Sequence, residues 1–216
     1  RFPNLEEIVL TGHSAGGQFV QRYAAAGRAE DQLASNIRMR YGIANPSSYM
    51  WLDNRRWVNG NWAVPSSPAN YNNYKYGLAG IMGYLSVSNN QQLLPDRFIS
   101  RDVWVLAGEL EQNCECGVAA TATNTDQCQP VPGLSSSKCK CCGTGCLACS
   151  AQAQAQGMDR FARATNFVRH LSDRLSYNAK FRVINNVAHE GGKMYKCGAG
   201  PAFLFGNWAQ PDATCP

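Results

Sequence analysis

Residues 6–26, EEIVLTGHSAGGQFVQRYAAA, constrain this chain more than any other stretch. A short apolar run, Ile8-Val9-Leu10, enters Gly12-His13-Ser14-Ala15-Gly16, and apolar residues at helical spacing leave it. The pattern predicts a strand over 6–11 and a helix over 14–26. A serine between two glycines at such a junction fits G-x-S-x-G, a sharp turn that presents the serine oxygen above a sheet. Small flanking residues are expected, because strand and helix backbones nearly touch there. The N–H of Ala15 opens the helix, where free donors and the helix dipole stabilise a developing oxyanion. The structural alternative is a glycine-rich turn whose serine only caps the helix.

A serine nucleophile needs a base held by an acid, each at the C-terminal end of a strand, in the chain order serine, acid, histidine. The chain has three histidines. His13 lies within the turn and is expected to pack beside it. His170 falls in a long helical pattern and reads as structural or solvent-facing. His189 follows an apolar run and enters a glycine-containing loop, which makes it the candidate base. For the acid, the run DVWVLA at 102–107 is followed by Glu109 and Glu111. Glu111 is preferred and Glu109 is the runner-up, with Asp126 a distant third. The alternative for either glutamate is a solvated loop charge.

Further strands are predicted at 36–44, 102–107 and 180–187, and a long helix at 158–175 with Phe161, Ala164, Phe167, Val168, Leu171 and Leu175 on one face. Strands alternating with helices give an α/β fold with a mostly parallel sheet. Residues 49–94 have no clean period but carry Trp51, Trp57, Trp62, Tyr71, Tyr74 and Tyr76. Two readings stay open for them. They form a cap whose aromatic walls, with Tyr49, Trp51 and Trp57 as candidates, line a substrate pocket, or they form a core under a long loop.

The 216 residues are enough for one sizeable core, and 44% hydrophobic with 16% charged residues describes an ordinary globular chain. No apolar run is long enough to span a bilayer. The net charge of +5 is scattered and forms no stripe for nucleic acid. Ten cysteines, eight of them between Cys114 and Cys149, point to an oxidising compartment. The segment 112–150 reads as an insert stapled by disulfides. The alternative is a metal site on Cys139, Cys141, Cys142, Cys146 and Cys149. Cys197 and Cys215 suit a separate bridge in the tail.

GHSAGGQFVQRYAA, IANPSSYMWLD, NYKYG, VLAGELE, QAQGMDRFARATNFVRHL and VAHEGGKMY together resemble a family of secreted or cell-envelope α/β-hydrolases of fungi and bacteria. The match covers most of the chain outside the insert. It implies Ser14 as nucleophile, Glu111 as acid and His189 as base, acting on a carboxylic ester or an amide without a cofactor. The family usually carries aspartate at the acid position, so Glu111 is a departure. The resemblance also implies that residues 1–216 form the C-terminal part of one such domain. The second oxyanion donor and several strands would come from an N-terminal segment or a partner chain, without which the elbow strand becomes a sheet edge. Two rival functions remain at this point: a non-catalytic interaction protein on the same fold, and a metal-binding module in the insert.

Overall fold

Each of the apolar runs ends in a turn that sends the chain back along the sheet, which is what parallel pairing requires. The structure is a computed structural model and describes residues 2–88, 93–116, 128–130 and 150–206. Strand β1 (Glu7–His13) leads into helix α1 (Ala15–Ala26), and β2 (Arg38–Ala44) into the aromatic excursion with its hairpin, β3 (Arg56–Val58) and β4 (Asn61–Ala63). Short helices α2 (Tyr84–Ser88) and α3 (Leu93–Ile99) return the chain to β5 (Asp102–Gly108). Beyond β5, β6 (Cys114–Cys116) and β7 (Cys128–Pro130) pair antiparallel. Helices α4 (Ala151–Gln154) and α5 (Arg160–Leu175) precede β8 (Lys180–Ile184), and α6 (Gly191–Lys196) and α7 (Gly200–Phe205) follow it.

The main sheet is parallel in the order β1-β2-β5-β8, so β1 is an edge of the described sheet. All seven of its residues are only half-buried. One face of the sheet packs against α1, α3 and α5, with Val20, Ile43, Phe98, Val105, Phe167 and Leu171 buried between them. The other face meets α6 and α7 through Ala44, Leu106, Ile184, Met194 and Phe203. β2 and α5 each begin two residues later than expected, and two strand ends differ as well. β1 continues through Gly12 and His13, and β8 stops at Ile184 because Asn186 takes φ 57°, which extended pairing does not allow.

Tyr49, Met50 and Trp51 are wholly buried in the main core, so for Tyr49 and Trp51 the burial fits core packing and not an open pocket wall. Burial of each such side chain is worth roughly 2–3 kcal/mol. Their backbone runs where no strand can pair with it, and two glutamines take the place of that strand. Gln21 accepts from Met50 N–H at 3.0 Å and donates to its carbonyl at 2.9 Å. Gln156 does the same for Tyr49, at 2.8 and 2.7 Å. Arg56, also fully buried, donates to the carbonyls of Asp53, Arg55, Tyr71 and Tyr76 and to Asn72 Oδ1, and stacks on Trp51. Trp57 remains half-buried on the hairpin. It lines a surface cavity of about 350 Å³ with Val58, Ser66 and Gln154.

Among the described residues no helix is long and apolar enough to cross a membrane. Cys197 is disulfide-bonded, while Cys215 lies outside the described residues. Asp126 and the candidate thiolates Cys139, Cys141, Cys142, Cys146 and Cys149 also lie outside them.

Candidate active site

At the end of β1 the chain reverses within one residue. Ser14 adopts φ 58° and ψ −118°, a conformation that costs a non-glycine residue roughly 1–3 kcal/mol. Its N–H donates to the Ala44 carbonyl at 2.9 Å, which fixes the turn against β2. A side chain at Gly12 would run into the backbone of Gly16, and one at Gly17 would lie 2.7 Å from the Ala44 oxygen. Space around Gly16 itself is open. The tight contacts therefore fall on Gly12 and Gly17, where the sequence motif had pointed to Gly12 and Gly16. Ser14 occupies the N-cap position of α1, yet its side chain makes no capping hydrogen bond. The first helical residue, Ala15, is exposed.

Glu111 stands in a single 3₁₀ turn after β5, only 2% exposed. Its Oε1 meets His189 Nδ1 at 2.5 Å, and Arg160 Nη1 donates to its Oε2 at 3.2 Å. Glu109 faces the other way and accepts from the Asn186 N–H at 2.8 Å, so the runner-up carboxylate fastens the loop after β8. That loop is held from several sides. Leu110 N–H donates to the Val187 carbonyl at 3.0 Å, and Gly108 approaches the same carbonyl too closely for any side chain. Asn45, with φ 43°, bridges three elements: its N–H donates to Leu106, its Oδ1 accepts from Gly108 at 2.9 Å, and its Nδ2 donates to Ala188. His189 is thus fixed between the ends of β2, β5 and β8.

The His13 ring lies against His189 with centroids 4.4 Å apart, and Ser14 is the next residue along. Burial lowers the His13 pKa from 6.5 to about 4, helped by repulsion from a charged His189, so His13 remains neutral over the ordinary pH range. His13, Glu111 and His189 bring three ligand atoms within 4.8 Å of one another, a set that a zinc ion could use. The Arg160 guanidinium on the same carboxylate opposes a second cation there.

Two solved structures share this architecture. The poly(3-hydroxybutyrate) depolymerase LpqC from Bordetella parapertussis matches with a TM-score of 0.52 at 20% identity, over 96% of this chain and 53% of its own. Poly(aspartic acid) hydrolase-1 from Sphingomonas sp. KT-1 matches at 0.50 and 20% identity, over 93% and 55%. The fold is that of the α/β-hydrolases. The chain spans about half the length of these structures. No family model and no curated protein matches its sequence.

In the α/β-hydrolase frame, Ser14, Glu111 and His189 follow β1, β5 and β8 in chain order. The sequence reading missed two residues at this rim. Asn45 was visible only as part of an Asn-Pro turn. Arg160 carried a clearer signal, since a cation in the first turn of a helix opposes the helix dipole and needs a compensating anion.

Proposed function

We propose that this chain carries the catalytic machinery of a serine hydrolase that cleaves a carboxylic ester, or an amide, through an acyl-enzyme. Ser14 Oγ attacks the carbonyl carbon, and His189 Nε2 takes the proton from the hydroxyl as the bond forms. Glu111 holds the Nδ1–H of His189, fixes the tautomer and stabilises the imidazolium. The Ala15 N–H donates to the oxyanion. His189 then returns the proton to the leaving alcohol or amine, and a water attacks the acyl-enzyme by the same route in reverse.

One observation carries this reading: the 2.5 Å Glu111–His189 pair, buried at the strand ends beside the positive-φ turn of Ser14. The bland alternatives account for neither half of it. A solvated loop glutamate would not be 2% exposed, and a capping serine would make a capping bond. The two neighbours are named for poly(3-hydroxybutyrate) and poly(aspartic acid), polymers linked through esters and amides, which supports the same bond classes here. A secreted or cell-envelope setting is supported by the ten cysteines and the disulfide at Cys197.

Turnover of p-nitrophenyl esters of graded acyl length tests the reading. Ser14→Ala is expected to lower turnover by about a thousandfold or more without changing the unfolding midpoint. A folded wild-type chain with no turnover, or turnover indifferent to Ser14, would identify a non-catalytic protein on this fold.

A further inference from the structure

Arg160 is 1% exposed and Glu111 2% exposed, and the described residues offer the guanidinium no other carboxylate. Its Nε and Nη2 have no hydrogen-bond partner among those residues. Burying a cation this deeply is costly, and burying it with two idle donors more so. Its location at the first position of α5 also runs against the helix dipole. Both are explained by one contact, the 3.2 Å bond from Nη1 to the Glu111 oxygen that His189 does not use.

From this we infer that Arg160 is a positioning residue for the catalytic pair: it holds Glu111 Oε2 so that Oε1 stays aimed at His189. The inference rests on the serine-hydrolase reading above. A glutamate has one more rotatable bond than aspartate, and its carboxylate can swing out of line. A guanidinium on the far oxygen removes that freedom and balances the buried charge. Among the described residues, four groups act on the carboxylate: His189 from the loop after β8 and Arg160 from α5 by hydrogen bonds, and neutral His13 from the end of β1 and Tyr49 from the loop after β2 within electrostatic reach. Arg160 is the only fixed cation of the four. Its removal favours the state of the Glu111–His189 pair that carries the extra proton, and that state is inactive as a base.

The test is the pH dependence of fluorophosphonate labelling of Ser14 in wild type, Arg160→Met, Arg160→Lys and Arg160→Met/Glu111→Gln. Arg160→Met is expected to move the acid limb up by about 1–2 pH units, the shift that loss of a charge at this range produces. Arg160→Lys restores charge and recovers part of that shift, and it serves as the informative variant if Arg160→Met does not fold. In the Glu111→Gln background the Arg160 substitution changes labelling by less than about threefold, because the group it acts through is gone. The His189 ring titration, followed by NMR, reads the same upward shift without turnover. Wild-type and Arg160→Met profiles that coincide while labelling still requires Ser14 and His189 would overturn the inference and leave the hydrolase reading intact. Wild-type labelling that ignores Ser14 would overturn both.

Discussion

Two regions of this molecule bury the same residue types and use them in opposite ways. At the rim of the sheet, Arg160 meets the carboxylate of Glu111, and His189 completes a hydrogen-bonded chain of three charged or polar groups. Under the aromatic excursion, Arg56 hydrogen-bonds to carbonyls and an amide and lies over aromatic rings, with the Asp53 carboxylate near but not bonded to it among the described residues. His170 lies beside it with neither ring nitrogen hydrogen-bonded among the described residues, its ring 4.6 Å from Trp51 and its Nδ1 3.7 Å from Asp53. Burial lowers the pKa of Arg56 to about 9 and that of His170 to about 4. A buried cation and imidazole therefore do not mark an active site by themselves. Asp53 also lies between His170 and Arg174, but it is part-exposed and stands 3.7 Å from the imidazole. What separates the rim is a buried carboxylate at a strand end that is hydrogen-bonded to both its imidazole and its guanidinium.

The comparison predicts a clean division between activity and stability. His189→Gln should lower ester turnover by about 10³–10⁴-fold, yet move the denaturant midpoint by less than ~1 kcal/mol equivalent. A large loss of stability would show that the rim is structural. Arg56→Met should do the reverse. It removes a buried guanidinium that bonds to four carbonyls and an amide oxygen, of which the Tyr76 carbonyl keeps the Trp51 N–H, and is expected to cost about 3 kcal/mol by urea unfolding. Turnover per folded molecule should hold.

Acid sharpens the contrast. The His170 pKa is lower in the folded than in the unfolded chain, so below pH 6.5 the unfolded state binds a proton that the folded state excludes. Its contribution is present above 6.5, is lost as pH falls toward about 4, and is flat below that. His170→Leu should remove up to about 3 kcal/mol of that pH-dependent loss, read as a shallower fall of Tm between pH 6.5 and 4. His13 contributes in the same direction, so some slope should remain. The smallest effect is expected at the other glutamate. Glu109→Gln weakens one bond to the Asn186 N–H, costs about 1 kcal/mol or less, and leaves turnover within about twofold. A catalytic collapse in that variant would make Glu109 the acid.

Much of the sheet and the Ser14 turn was legible because their signals are local. Apolar runs, glycines at a reversal and a helical stripe on α5 each act over a few residues. The choice between Glu109 and Glu111 was not local. Both lie in one 3₁₀ turn, and which carboxylate faces inward depends on where β8 and α5 deliver His189 and Arg160. The excursion was opaque for a different reason. Its backbone at Tyr49 and Met50 is satisfied by Gln21 and Gln156, side chains 29 and 107 residues away, and such partners leave no periodicity to read. Core packing of Tyr49 and Trp51 could be seen only once those partners were in place.

The central claim is that Ser14, Glu111 and His189 act as one unit, and intact-mass analysis after fluorophosphonate treatment tests it most directly. The account predicts a single adduct per chain, absent in Ser14→Ala and slowed by about 10³-fold or more in both His189→Ala and Glu111→Gln. An adduct that persists without Ser14, or a folded chain that takes none, would contradict it.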